Sequence, residues 1–352
     1  MTIYIILAII ISCCLLRDKK NDVKYAVIIC SLLSFFGFFR GQSVGTDVSI
    51  YCKNISHTTF DPVTWSHYTS FENGYNILIA VYNLFFDEPL YFIGLCNIFY
   101  IFAFYKYAKS KTTNICLALF FMYMNCFYLN SYNIIRQFFA MSICLLLLSN
   151  INLENTTKKE NLIIGITVTL TALLFQNTVI SLLSIFGYIY FKKWIYNKVT
   201  LFNLTIVISV AISGMDFVPN LLSGFSDIFL LNEKTTSYFQ AAATGGVEET
   251  GFSLLRIIID SVFLIFISYK VCHIDAYLYM MYLGRLFINL IASINPLFDR
   301  VPMILFLLSI PLIEKVWKKD KLSKAVVFLY SCAIFINFMA KNYAVVIPYK
   351  FM

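Results

Sequence analysis

Residues 25–39 (YAVIICSLLSFFGFF) run without a charge straight into Arg40-Gly41-Gln42-Ser43-Val44-Gly45-Thr46-Asp47. That junction sets the pattern of the chain: an apolar run of helical length, then a polar segment that opens on an arginine. Runs of 15 to 20 or more apolar residues recur along the sequence. This is the length that crosses a hydrocarbon core of roughly 30 Å as a helix. Composition agrees. Of 352 residues, 60% are hydrophobic and 13% are charged, and the mean hydropathy is +0.76. An ordinary soluble domain has about 45–50% apolar and about 25% charged residues, so a soluble globular protein is excluded. Backbone polar groups in lipid must be satisfied within helices or a closed barrel, and unbroken apolar runs without period-2 alternation choose helices. The expectation is an all-α polytopic membrane protein, a single integral membrane domain over residues 1–352.

About twelve spans are expected, within a range of ten to thirteen. They lie at about 2–16, 25–39, 90–105, 114–130, 133–150, 161–175, 178–191, 199–213, 252–271, 276–293, 300–317 and 325–340. The first run lacks a basic leader and a small-residue cleavage site, which predicts a retained helix rather than a signal peptide. Residues 75–86 are apolar but short and stop at Asp87-Glu88-Pro89, which predicts an interfacial or re-entrant helix. Orientation follows from lysine and arginine in short loops. Segments 17–24, 106–113, 151–160, 192–198, 270–275 and 315–324 carry 18 of the 27 basic residues and are placed in the cytoplasm. The net charge of +8 is then a matter of topology and does not imply a nucleic-acid partner. Both termini and two long polar segments, 40–74 and 214–251, face outward.

Splitting the basic residues by type gives a sharper signal. Seventeen of the 21 lysines lie on the assigned cytoplasmic side, but of six arginines only Arg17 does. Arg40, Arg136, Arg256, Arg285 and Arg300 lie at outward helix ends or within spans. The positive-inside rule does not separate arginine from lysine. A guanidinium stays charged when buried and presents a planar fork of donors that matches phosphate oxygens, and ionisable groups inside spans mark functional sites by default. The structural alternative is that these arginines snorkel or neutralise Asp47, Asp260 and Asp299, with Asp260 one turn from Arg256 on the same face. Asn133, Arg136 and Gln137 form a polar stripe, and Arg285 shares a face with Asn289. Together these faces suit an anionic ligand near the outer leaflet. The ten cysteines lie almost wholly in apolar runs, no CxxC spacing occurs, and His57, His67 and His273 have no ligand spacing, so neither a disulfide framework nor a metal is expected.

The residues resemble a known family. Arg40…Val44-Gly45-Thr46-Asp47…Tyr51, Glu72-Asn73-Gly74-Tyr75, Ile135-Arg136-Gln137-Phe138-Phe139-Ala140 and Asp299-Arg300 are similar in order and spacing to the EpsG family, within the wider Wzy-type polysaccharide polymerases. The resemblance implies a GT-C-like membrane glycosyltransferase that needs no metal or other cofactor. Such a protein works at the outer face of the bacterial inner (cytoplasmic) membrane. It moves a growing glycan from undecaprenyl pyrophosphate to the non-reducing end of a lipid-linked repeat unit of O-antigen, capsule or exopolysaccharide. A chain-length regulator (Wzz-like) is the protein partner implied. Where family members often carry a histidine after the sixth helix, this chain has Phe175-Gln176-Asn177-Thr178, and a glutamine transfers no proton.

On this reading Arg136 and Arg300, supported by Arg285 and Arg40, hold the pyrophosphate, because electrostatic stabilisation of a leaving group is usually the largest catalytic term. Asp47 is the first candidate for the base and Glu72 the second, with Tyr51, Asn133, Gln137 and Asp299 in support. Tyr51, Tyr68 and Tyr75 are candidates to stack on sugar rings. For Asp47 the alternatives are a salt bridge to Arg40 or a cap on the Gly45-Thr46 turn. The competing classes are a flippase or transporter for the same lipid-linked sugar, an O-antigen ligase-like transferase, and a membrane acyltransferase.

Overall fold

The computed structural model describes residues 1–15, 21–62, 65, 71–213, 254–292, 300–342 and 345–352. Among these the chain is helical, with no strand beyond one isolated bridge between Arg40 and Phe351. Packing divides it into two units, residues 1–183 with 313–352, and residues 184–312. The first contains α1 (Thr2–Leu15), α2 (Asp22–Phe38), α3 (Val48–His57), α4 (Asn73–Asn83), α5 (Pro89–Lys111), α6 (Ile115–Met124), α7 (Phe127–Asn130), α8 (Ile135–Ser149) and α9 (Lys158–Leu174). The second contains α10 (Ile185–Ile195), α11 (Val199–Ser213), α12 (Leu254–Val271), α13 (Ala276–Phe287) and α14 (Met303–Leu308). The boundary falls inside α15 (Ile310–Trp317), and α16 (Lys321–Ala340) belongs to the first unit.

The expected spans are present as helix, but several are interrupted. The run at 114–130 breaks at Cys126, whose φ of 62° separates α6 from α7. The run at 178–191 begins as a 3-10 helix over Asn177–Ser184, the run at 276–293 ends in a π turn over Ile288–Ala292, and Ser309 parts α14 from α15. Among the described residues, α5 and α16 are the helices long and apolar enough to cross a membrane by length and composition; α1, α6, α8 and α11 are shorter apolar helices. The break at Cys126 is buried, with Cys126, Tyr128 and Leu129 almost wholly covered. That is the placement irregular backbone requires wherever water is absent. Within the long polar segment 40–74 the structure forms α3, which sequence reasoning did not anticipate, although Val48, Tyr51, Cys52 and Ile55 repeat at helical spacing and are the buried face. The short apolar run expected at 75–86 is α4. The second long loop, 214–251, lies outside the described residues.

In the first unit α5 lies against α8 and α2, and α6 against α1 and α2. Its core is aromatic: Tyr4, Tyr75, Tyr100, Tyr107, Tyr123, Tyr128 and Tyr132 are all buried. Phenol rings carry a large apolar area, and their hydroxyls need partners. Tyr128 donates to Leu33 O (2.7 Å), Tyr123 to Tyr4 O (2.8 Å) and Tyr132 to the Tyr128 hydroxyl (2.6 Å). The outer surfaces of the helices are apolar instead. Leu162, Ile166, Leu170 and Leu173 of α9 and Leu322, Leu329 and Ile336 of α16 are exposed. Polar side chains inside and leucine outside is the inverse of a water-soluble surface, and patches of this kind mark contact with a membrane or a partner.

Charged groups meet at the helix ends. The first N–H groups of a helix have no intrahelical acceptor. For α6 two helices supply it: Asp22 accepts from Ile115 N (2.7 Å) and Cys116 N (3.1 Å), and the Asn114 side chain takes Leu117 N (2.8 Å). Just before this, the buried Glu314 accepts from Thr113 N (3.1 Å), Thr113 Oγ1 (3.0 Å), Asn114 N (2.9 Å) and the Lys318 ammonium. Lys111 donates to Ile151 O (2.7 Å). These residues fall in or beside segments that the lysine count places on one side. Tyr4, Arg40, Tyr132 and Val346, assigned to the other side, also meet: Tyr4 donates to Val346 O (2.9 Å) and the Arg40 guanidinium lies over Tyr132. Helix ends therefore sort within this unit as an alternating topology requires.

Glu314 ties α15 to the start of α6, and its removal leaves three donors and an ammonium without their acceptor. Leaving a buried donor without its acceptor costs about 1–3 kcal/mol, while the half-exposed Lys318 can turn to water. Glu314→Ala is expected to lower the unfolding temperature of the detergent-purified protein by several degrees, and Glu314→Gln, which keeps an acceptor, by less. A parental transition for Glu314→Ala would show that the carboxylate is dispensable.

Candidate functional site

Arg40 follows α2 directly. Its side chain is 1% exposed, and Nε, Nη1 and Nη2 have no hydrogen-bond partner. What it touches is the Tyr132 ring, with Cζ 4.3 Å from the centroid. The chain end lies across it: Gly41 N donates to Lys350 O (2.6 Å), Met352 N to Phe39 O (3.0 Å) and the Tyr349 hydroxyl to Phe36 O (2.7 Å). The following turn is held by Gly45 N donating to Val345 O (3.1 Å). Gly45 has φ +116°, and a Cβ there would stand 2.6 Å from Asn133 Oδ1. Only glycine meets both conditions, so this turn packs directly on the link before α8. Asp47 occupies the N-cap position of α3, partly buried, and its side chain makes no cap hydrogen bond. With the Arg40 nitrogens unpartnered as well, neither structural alternative for Asp47 is realised.

Three segments separated in sequence meet at Arg136, in the first turn of α8. Its Nη1 donates to a Glu72 carboxylate oxygen as an ion pair, and its Nε donates to the Tyr51 hydroxyl (3.3 Å). Its Cζ stands 4.4 Å from the Phe71 ring centroid, and Phe71 stacks on Tyr51 at 5.1 Å. Ion pair and cation–π contact hold the plane of the fork. Nη2 takes part in neither hydrogen bond. The Arg136 and Glu72 side chains remain 18% and 17% exposed, so a ligand can approach them. Asn133 and Gln137 are buried beside it. Tyr75 is fully buried in the hydrophobic cluster beneath, with Tyr51, Phe92 and Ile135. Tyr75 is therefore core rather than a sugar platform, and Tyr51 is a partner of Arg136. Tyr68 lies outside the described residues. Phe175 packs on Phe139 at 5.3 Å, which brings the end of α9 and the adjoining Gln176 to the same aromatic cluster.

The second unit has its own buried cation. Arg285 on α13 is 3% exposed. Nη1 donates to Asp260 Oδ2 on α12 (2.7 Å) and Nε to Asn289 Oδ1 (2.7 Å). Asn289 lies in the π turn and passes the network on, donating to Ser209 Oγ (2.8 Å) and Ser261 Oγ (3.3 Å). Nη2 of Arg285 is buried with no partner. Arg256, expected as the mate of Asp260, is farther from it, at 3.9 Å to the same oxygen, and more exposed. The sequence-adjacent pairing yields to the tertiary one because Arg285 is the more deeply buried of the two and its desolvation is the larger cost. Arg300 is partly buried; Asp299 lies outside the described residues.

Sequence reasoning found Arg136, Glu72, Tyr51 and the Arg285–Asn289 face. It missed Phe71, which precedes Glu72 with nothing to mark it, and Asp260 as the ion-pair partner of Arg285. It also missed the C-terminal cover of Arg40, which nothing local in residues 345–352 marks.

Arg40 has no hydrogen bond to lose. A buried charge without a hydrogen-bond partner is costly, and an apolar side chain of similar volume removes that cost while giving up the contact with the Tyr132 ring. Arg40→Met is expected to unfold at or above the parental temperature, and a drop of several degrees would point to an acceptor for this guanidinium.

Comparison with known proteins bears on the whole chain. The model of the EpsG family matches residues 23–351. No curated protein and no solved structure matches. A match over nearly the full length, on a chain that carries the Arg40–Asp47, Glu72–Tyr75 and Ile135–Ala140 segments, places this helical protein in the EpsG family.

Proposed function

We propose that this chain is a membrane glycosyltransferase of the Wzy type, a single integral domain that polymerises lipid-linked sugar repeats at the outer face of a bacterial cytoplasmic membrane. Family membership supports a polysaccharide polymerase-like role. The observation that carries the chemistry is the convergence of Tyr51, Phe71, Glu72 and Arg136 around one partly exposed guanidinium. Lysines gathered on one side and arginines on the other give the orientation.

In the proposed reaction a hydroxyl of the incoming repeat attacks the anomeric carbon that joins the growing glycan to undecaprenyl pyrophosphate. A glycosidic bond forms, the bond to the pyrophosphate oxygen breaks, and the electron pair leaves on the phosphate. Arg136 meets that developing charge through the donor its internal partners leave over, with Arg40 as a further cation of the same unit; Arg285 and Arg300, in the second unit, are the other arginines proposed to contact phosphate. A fixed cation in a site poor in water supplies the stabilisation that metal ions provide elsewhere. Glu72 keeps the guanidinium oriented. One of its oxygens is already engaged, which leaves Asp47 as the base that takes the hydroxyl proton. General-base help of this kind is worth about 10²–10⁴-fold. A chain-length regulator is the protein partner this reading anticipates.

The product distribution of a deletion strain separates the functional classes. Surface polysaccharide reduced to single repeats is the expected result; complete loss from the surface would instead indicate a flippase or ligase. In the complemented strain, Arg136→Ala is expected to remove chain extension while leaving protein in the membrane, and extension at the parental rate would remove its phosphate role. Asp47→Asn is expected to slow extension about 10²–10⁴-fold. Retained activity there would exclude Asp47 as the base and leave the polymerase reading standing.

A further inference from the structure

The buried network of the second unit holds more than a neutralised arginine. Of the three nitrogens of Arg285, two are fixed by separate helical elements: Nη1 by Asp260 at 2.7 Å and Nε by Asn289 at 2.7 Å. Asn289 is itself held by two serine hydroxyls, Ser209 of α11 and Ser261 of α12, the helix that carries Asp260. A planar fork gripped on two of its edges cannot rotate. The third nitrogen, Nη2, is left buried without a partner, an arrangement that costs about 1–3 kcal/mol, and more for a charged group. A structural ion pair has no reason to leave that donor unmet. A site awaiting an acceptor does.

The charges point the same way. Asp260 serves two arginines, Arg285 at 2.7 Å and Arg256 at 3.9 Å. The carboxylate is thus shared between two guanidinium groups and stands closer to the buried one.

We propose that Asp260 and Asn289 are positioning residues: they lock Arg285 so that Nη2 is presented to a phosphate oxygen of the lipid diphosphate. This rests on the polymerase reading and extends it to Asp260, which touches no substrate. Its effect is on geometry and not on affinity. Removing Asp260 raises the local charge by one and frees the guanidinium to rotate. Ground-state attraction for a diphosphate is kept or increased, and alignment in the transition state is lost. A misplacement of about 1 Å costs on the order of 10²-fold in rate.

The test uses the full-length protein in detergent or nanodiscs, with lipid-linked repeats for turnover and farnesyl diphosphate as the binding probe. Asp260→Ala is expected to lower kcat about 10²-fold, with KM for the lipid-linked repeat and Kd for farnesyl diphosphate unchanged or lower. Arg285→Ala is expected to weaken farnesyl diphosphate at least tenfold. The swap Asp260→Asn with Asn289→Asp moves the carboxylate from Nη1 to Nε while keeping the net charge and both acceptors, and is expected to recover most of the rate lost in Asp260→Asn alone. It also answers a folding failure of Asp260→Ala. If Arg285→Ala loses the probe but Asp260→Ala turns over like the parent, or the swap recovers nothing, the positioning role is overturned while the diphosphate reading stands. If Arg285→Ala binds the probe like the parent, the diphosphate reading fails at this arginine and the positioning role fails with it.

Discussion

A guanidinium taken out of water has to be given partners, and the way this chain does so differs at each of its buried arginines. Arg136 receives a carboxylate, a phenol and an aromatic face, and stays partly open. Arg285 receives a carboxylate and an amide, and one donor is left over. Arg40 receives an aromatic ring and a cover of backbone, and none of its nitrogens is hydrogen-bonded. The burial of an unpaired charge is expensive. A sequence that maintains three such arginines on polar faces, when lysine serves elsewhere, is using what distinguishes the two side chains: permanent charge and a planar fork.

The rest of the first unit can be understood as the frame that makes those placements hold. The start of α6 is fastened by Asp22, Asn114 and Glu314 at one end of the helices. At the other end the Gly45 turn is pressed against the link before α8, and the Tyr51 hydroxyl of α3 accepts from Arg136. Tyr4, Tyr123, Tyr128 and Tyr132 serve both needs, since each fills core volume and spends its hydroxyl on a neighbouring carbonyl or phenol. The long apolar faces turned outward do not compete with this interior.

Much of the arrangement was legible in the residues. Apolar run length located almost every helix, and the split between lysine and arginine singled out Arg136 and Arg285. What stayed hidden had no local signature. Cys126 breaks its helix without a glycine or proline, because the left-handed residue is imposed by packing around it. Asp260 stands one turn from Arg256, and the rule for neighbours on one helix names that pair; the closer partner, Arg285, comes from another helix and is decided by burial. Helix α3 was overlooked because a polar segment was read for its charges, although its buried residues repeat every three and four positions. Phe71 and the C-terminal cover of Arg40 are tertiary facts, visible only once the chain is folded.

The central proposal is that Arg136 stabilises a departing lipid diphosphate while a sugar linkage is made. Purified protein supplied with undecaprenyl-pyrophosphate-linked repeats tests it most directly, by counting free undecaprenyl pyrophosphate against linkages formed. One lipid pyrophosphate released for each new linkage, in step with a growing ladder of products, is the expected result. Lipid-linked repeats recovered intact, with neither release nor elongation, would contradict it.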